Sequence, residues 1–514
     1  MNQIIQNKKS LKELRLETRD DGKIKQNESN LNKVIDGLNS VSSSLCLAKF
    51  TQVTMHLGSG LVHSCHHPTP HKIPLDELEK NPAALFNTTI LKVARKEMLN
   101  SIKPKECEYC WRIENNKNRS DRHLKSREDW AINEYDNIVN SSGEEFFKPT
   151  YLEVSFGNAC NLKCVYCGPE FSSKWVEELK SQGPIKITDG NGKEQWVQGW
   201  QDLDSISIPN REHNPYIEAF WKWFPEIYPG LKHYRITGGE PLLNKNTLKS
   251  LDYLIENPKQ DLELSINSNL SVPEKIWQDF LNKVIKLEKS ANFKKITIYT
   301  SFESWGNRAE YARTELDFNL VKNRFEELLE KTSVRCVVMA TYNVLAITSF
   351  VDVLKWILHL KQQYNFNPKR ELVYSETNYD LKTNKAIKSS NSFRVGIDIP
   401  YLRHPEFLDV QYCNDDLLLN YMLPCLEFMI DNTSDNPWKA HLSFEKYELE
   451  KFQRIVENRL HFKGHNNKNI MQAKFFDFIN AIDTRRNLNF LEVFPEMENW
   501  YNNCKQSKEI ISTK

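Results

Sequence analysis

The stretch Gly157-Asn-Ala-Cys-Asn-Leu-Lys-Cys-Val-Tyr-Cys167 sets Cys160, Cys164 and Cys167 in a C-x3-C-x2-C array. Three thiolates this close along the chain suit a metal centre that takes three protein ligands and keeps one position open, and a cysteine-held iron–sulfur cluster meets that description. With 11 Cys in 514 residues, such a triplet arises by chance roughly 0.005 times per chain. A zinc knuckle is the alternative, but zinc sites pair C-x2-C units and require a fourth ligand nearby.

Just before the triplet, Tyr151-Leu-Glu-Val-Ser-Phe156 alternates apolar and polar residues and reads as a strand that delivers the chain to the cysteine loop. Further β-branched runs follow at Lys232–Thr237, Leu262–Asn267, Lys295–Ser301, Val334–Ala340 and Glu371–Tyr374. Helical stretches at Thr247–Ile255, Pro273–Lys289, Leu320–Leu329 and Ser349–Gln363 separate them. Alternation of this kind predicts an α/β fold with parallel β/α units. Polar and glycine residues gather where these strands end, the rim at which β/α folds place ligand-binding loops. One such end reads Thr237-Gly-Gly-Glu-Pro241, with two residues that admit close backbone approach followed by a carboxylate.

The triplet with Tyr166 in its aromatic place, together with Gly238-Gly-Glu-Pro241, resembles the radical S-adenosylmethionine (radical SAM) superfamily. The resemblance implies a partial (β/α)6 TIM-like barrel and a [4Fe-4S] cluster on Cys160, Cys164 and Cys167. It also implies S-adenosylmethionine (SAM) bound to the open iron and cleaved by one electron to a 5′-deoxyadenosyl radical. Tyr166 would then pack near adenine. Gly238, Gly239, Glu240 and Pro241 would meet the methionine amine, and Ser265, Asn267, Ser301 and Asn343 are candidate contacts at the remaining strand ends. Ser268 and Glu303 sit at the same ends, and each of these polar residues also has a plain reading as strand-end polarity.

Upstream lie Cys46, Cys65, Cys107 and Cys110. A cysteine, a short hairpin turning at Gly58-Ser-Gly60, a second cysteine, a helical excursion and a closing C-x2-C resemble the SPASM or twitch auxiliary-cluster module, which usually follows the barrel and here precedes it. The resemblance implies a second [4Fe-4S] cluster. Zinc held through Cys65-His-His-Pro-Thr-Pro-His71 is the alternative, as is a partly structural Cys46. Of the other cysteines, Cys336 reads as packing within a strand, Cys413 and Cys425 as buried thiols, with hydrogen-atom donors or further ligands as alternatives, and Cys504 as part of a polar tail.

These readings divide the chain into a polar extension (1–44), the auxiliary module (45–115), a helical linker (116–148), the radical SAM core (149–385) and a mainly helical C-terminal region (386–514). In the last, Tyr447–Leu460 and Asn469–Ile482 read as helices, and Phe475, Phe476, Phe478 and Ile479 form an apolar face that covers the barrel mouth or a subunit interface. The long segment Ser181–Pro215 carries a hairpin at Ile185–Lys193, and reads either as a lid lined by Trp196 and Trp200 or as a plain surface insertion.

Composition narrows the function class. A net charge of +1 exerts no strong pull on nucleic acid or acidic lipid, and Lys117–Lys125 reads as a solvated face. No run of about 18 apolar residues exists, which excludes a membrane-spanning helix. The N-terminus lacks a secretion signal, so a cytoplasmic location is expected, where clustered cysteines serve metals or catalysis. Hydrogen abstraction from a peptide or protein side chain is the leading function, with flavodoxin or ferredoxin as one-electron donor. A small-molecule or nucleotide substrate is the alternative within the enzyme class, and a non-catalytic iron–sulfur or zinc protein is the alternative outside it.

Overall fold

The computed structural model describes residues 21–512 apart from 189–193, 198–202, 204–205, 292, 366–377, 381–384, 388–393, 403, 435–441 and 463–466. Its strands, in chain order, are β1 (Gln52–His56), β2 (Leu61–His63), β3 (His71–Lys72), β4 (Tyr151–Ser155), β5 (Lys163–Cys164), β6 (Ile185–Thr188), β7 (Glu194–Val197) and β8 (His233–Thr237). They continue with β9 (Glu263–Ser268), β10 (Lys295–Ser301), β11 (Arg313–Thr314), β12 (Arg335–Met339), β13 (Asn378–Asp380), β14 (Lys385–Ile387) and β15 (Val395–Asp398).

Nine of these strands form one sheet in the order β15-β12-β10-β9-β8-β4-β1-β2-β3. Every pairing from β1 to β15 is parallel, and only β2 and β3 run antiparallel to their neighbours. Alternation explains the layering. Leu152 and Val154, Tyr234 and Ile236, and Leu264 and Ile266 are all buried on one face, where period-2 side chains from neighbouring strands align. The helices Lys245–Glu256, Glu274–Ala291, Phe318–Lys331 and Phe350–Tyr364 follow successive strands, as parallel crossovers require. The opposite face is polar: Thr54, Glu153, Arg235 and Ser265 stand in register across β1, β4, β8 and β9.

The expected strands at residues 151–156, 232–237, 262–267, 295–301 and 334–340 are present within a residue or so at each end. The strand expected at Glu371–Tyr374 lies outside the described residues. The strand that pairs with β12 is β15, with Cys336 opposite Val395, beyond the boundary drawn at residue 385. Its short Val-Gly-Ile-Asp run hides it in the sequence. Gly396 leaves room there for the Arg335 side chain, whose Nη2 would stand 2.9 Å from a Cβ at that position.

The upstream hairpin is not separate from the sheet. β1 pairs with β4 from Gln52–Tyr151 to His56–Ser155, and Val53, Met55 and Val62 belong to the principal core. In the segment 181–215, β6 and β7 pair antiparallel as the expected hairpin, while Trp200 lies outside the described residues. β6 is tied to the C-terminal helix Lys468–Arg486, where Asp477 accepts from Thr188 N at 3.0 Å and from Thr188 Oγ1 at 2.7 Å. In that helix Phe475, Phe478 and Ile479 are fully buried, and Phe476 packs on Tyr501 of the final helix, Glu498–Ser512. The apolar face is therefore satisfied within the chain. Cys504 lies in that final helix and is buried, not in a solvated tail. No helix among the described residues is long and apolar enough to cross a membrane.

Candidate active site

The two motifs singled out in the sequence meet through their backbones. Gly239 N–H donates to Gly157 O at 3.2 Å and Glu240 N–H to Ala159 O at 2.7 Å. A Cβ on Gly239 would stand 2.5 Å from Ala159 O. Gly238 has φ +137°, and a Cβ there would stand 2.9 Å from Gly157 O. The paired glycines therefore let the Gly-Gly-Glu-Pro segment lie directly against the loop that leads into Cys160. Gly58, in the turn of the upstream hairpin, approaches the same loop: its Cβ would stand 2.7 Å from Gly157 Cα.

Cys160 and Cys167 are half-buried and Cys164 is buried. Burial, with the neighbouring Cys164 second, pushes the Cys160 thiol up to about 12. Cys167 is raised in the same way, by burial and then by Cys164 and Cys160. Thiols raised in this way ionise at little cost only when a metal takes the thiolates. The donor set thus fits a three-cysteine iron–sulfur cluster.

Glu240 is 1% exposed. Its Oε1 accepts from Leu242 N at 3.0 Å and Ser268 Oγ at 2.8 Å, and its Oε2 from Asn269 N at 2.6 Å. Burial raises its pKa to about 7 against the pull of those donors, so a cationic amine is the partner that would restore its charge. Pro241 opens the short turn that Glu240 caps. Asn269, which the sequence reading passed over, reaches both Asn161 Oδ1 at 3.1 Å and Cys160 Sγ at 4.0 Å. The Asn267-Ser-Asn269 run at the end of β9 was the available signal.

The other candidates separate. Ser265 and Asn267 lie on the polar face of β9, and Asn267 Oδ1 accepts from Arg235 Nη2 at 3.2 Å. Ser301 ends β10, half-buried. Asn343 is fully buried, with Oδ1 accepting from Leu345 N at 2.9 Å and Nδ2 donating to Thr341 O at 2.8 Å, so its amide is spent on the local turn. Tyr166 donates from its hydroxyl to Glu303 Oε1 at 2.9 Å. Glu303 is in turn forked by Arg313, through Nε at 3.0 Å and Nη2 at 2.8 Å. Arg313 stands opposite Cys164 in the β5–β11 pair.

The C-terminal region also reaches this loop. Arg486 donates to Lys163 O at 2.7 Å and Thr314 Oγ1 at 2.9 Å, pairs with Glu178 at 3.1 Å, and lies over the Trp175 ring. Trp175 Nε1 donates to Cys164 O at 2.9 Å.

Cys46, Cys65, Cys107 and Cys110 line one small pocket, with Lys49, Arg122 and Lys125 at its wall. Burial, then Lys49 and Cys46 among its neighbours, sets the Cys107 thiol at about 12. Cys110 is raised to about 12 by burial and Cys46. Lys49 is itself buried and paired with Glu106. Four thiols ringed by cations form a donor set suited to an anionic thiolate cluster. Of the histidines that favoured zinc, His67 is bonded to Asp121 at 2.8 Å and His71 to Thr88 Oγ1 at 2.9 Å. Among the described residues no group of three or more His, Cys, Asp or Glu side chains is arranged to hold a single metal ion.

Residues 154–357 match the radical SAM superfamily. A GTP 3′,8-cyclase of Aliarcobacter butzleri is 30% identical over 156 residues, covering 29% of this chain and 34% of that protein. A GTP 3′,8-cyclase of Campylobacter lari is 26% identical over 136 residues, 26% of this chain and 32% of that protein. The chain thus spans about a third of the length of these relatives. Among solved structures, Streptococcus suis SuiB aligns at TM-score 0.30 and 12% identity over 68% of this chain and 71% of its own. SuiB bound to precursor peptide SuiA aligns at 0.28 and 12% over 82% and 92%.

Proposed function

Because residues 154–357 carry a radical SAM domain, we propose that the chain is an enzyme that reductively cleaves SAM and abstracts a hydrogen atom from a peptide or protein side chain. Cys160, Cys164 and Cys167 would hold the [4Fe-4S] cluster, which with SAM supplies a 5′-deoxyadenosyl radical. The observation that carries this reading is the direct backbone pairing of the cysteine loop with Gly239 and Glu240. That pairing sets a buried carboxylate beside the loop that carries the cysteines.

Glu240 would orient the methionine amine, regaining its charge against a cation in a dry site. Ser268 and Asn269 hold that carboxylate in place. Cys46, Cys65, Cys107 and Cys110 would hold a second [4Fe-4S] cluster, and four-cysteine ligation would make it an electron carrier or a structural centre. The peptide substrate follows from the likeness of that cysteine order to auxiliary-cluster modules. A flavodoxin or ferredoxin would supply the electron. The curated relatives, which are GTP 3′,8-cyclases, favour a second reading in which the substrate is a nucleotide.

Anaerobic reconstitution tests the proposal. Two clusters require about eight irons per chain, and dithionite should then drive 5′-deoxyadenosine formation. A chain that takes up only zinc, or that never cleaves SAM, contradicts it.

A further inference from the structure

We propose that Arg313 is a positioning residue for Cys164, donating an N–H···S hydrogen bond to it and setting how readily a cluster on that loop accepts an electron. The inference rests on the iron–sulfur reading of Cys160, Cys164 and Cys167.

The geometry is specific. Arg313 Nη1 stands 3.6 Å from Cys164 Sγ. The two residues are directly opposed in the β5–β11 pair, and Val165 N–H donates to Ala312 O at 2.8 Å alongside. Glu303 pins the guanidinium by its other side, with Nε 3.0 Å from both carboxylate oxygens and Nη2 2.8 Å from Oε2. That fork leaves Nη1 aimed at the sulfur. Tyr166, from within the cysteine triplet, closes the unit: its hydroxyl bonds Glu303, and the guanidinium lies 5.4 Å from its ring centre. The Arg313 and Glu303 side chains are 7% and 0% exposed.

Arginine alone suits this place. Its planar fork satisfies a carboxylate with two nitrogens and still presents a third, whereas a lysine offers one point charge. Hydrogen bonds to cluster sulfurs and nearby charge are among the levers that set a cluster's potential. The cation and its N–H sit closer to the sulfur than the counter-ion does, since Nη1 intervenes, and water is excluded from the pair. The unit therefore favours the more negative, reduced state of a bound cluster. A salt bridge that served the fold alone would have no such effect.

EPR-monitored redox titration of the reconstituted full chain tests this, with the signal assigned by its loss in Cys164→Ala. The double variant Arg313→Met/Glu303→Gln removes the cation without leaving a bare buried carboxylate. It should shift the reduction equilibrium about tenfold toward the oxidised state, about 59 mV downward for a one-electron couple. Arg313→Lys should shift it less in the same direction, and Glu303→Gln alone should shift it upward. A double variant with the parent's iron content and an unmoved potential overturns the proposal. If the double variant takes up no iron, Glu303→Gln decides: a rise supports the proposal and a fixed potential overturns it. A parent chain with no Cys164-dependent signal overturns both this proposal and the cluster reading, whereas a signal with unmoved potential overturns only this one.

Discussion

Arg486, the last residue of the helix Lys468–Arg486, donates through Nη1 to the carbonyl oxygen of Lys163 at 2.7 Å, one residue before Cys164. The C-terminal region thus buttresses the cysteine loop from more than 300 residues away in sequence. The same guanidinium pairs with Glu178, and both side chains are nearly sealed from water, 1% and 2% exposed. Arg486→Ala leaves Glu178 with Lys163 as its remaining cation. The loss should cost about 3 kcal/mol in urea unfolding and should lower iron retention at the triplet, read by iron analysis after gel filtration.

Gly239→Ala should displace the cysteine loop. The new Cβ would meet backbone atoms of Asn158 and Ala159 at 2.5–2.7 Å, and backbone does not yield as a flexible side chain does. The expected cost is about 2 kcal/mol, with loss of the Cys164-dependent iron. Gly37→Ala is the contrast. Gly37 lies within the helix Asp21–Val41 with nothing near its missing Cβ, so that change should stabilise the chain by about 0.5–1 kcal/mol in the same assay.

The buried Glu240 gives the metal-free chain a pH signature. Its folded pKa of about 7 lies above the ordinary carboxylate value. The folded state therefore holds a proton that the unfolded state has released, and stability falls as pH rises from about 4.5 to about 7. Glu240→Gln should remove that slope in the metal-free chain. SAM binding should weaken in the same variant, measured by equilibrium dialysis.

Cys107→Ala/Cys110→Ala should remove about four irons per chain and leave the Cys164-dependent EPR signal in place. Loss of both signals together would show that the cavity lined by Cys46, Cys65, Cys107 and Cys110 and the triplet do not load independently.

Local signals were legible in the sequence, and tertiary ones were not. Alternation in Tyr151–Ser155 and β-branched runs around His233–Thr237 and Lys295–Ser301 revealed the parallel strands, because these strands are buried against helices. The triplet and Gly238-Gly-Glu240 were readable because cysteine and paired glycine are rare enough to mark a site. Val395–Asp398 escaped because four residues interrupted by a glycine carry too little pattern. Arg313, Asn269 and Arg486 escaped for another reason: an arginine or asparagine in a loop or at a helix end looks like any solvated residue until folding brings Cys164, Glu240 or Lys163 against it. The hairpin at residues 52–63 was seen, but its continuity with β4 depends on a pairing across about 100 residues that no local signal encodes.

The measurement that bears most directly on the central claim is dithionite-dependent formation of 5′-deoxyadenosine from SAM by the anaerobically reconstituted chain and by its Cys164→Ala variant. The account predicts product from the parent chain and none from the variant. A parent chain with a full iron complement that forms no 5′-deoxyadenosine, or a variant that forms as much as the parent, would contradict it.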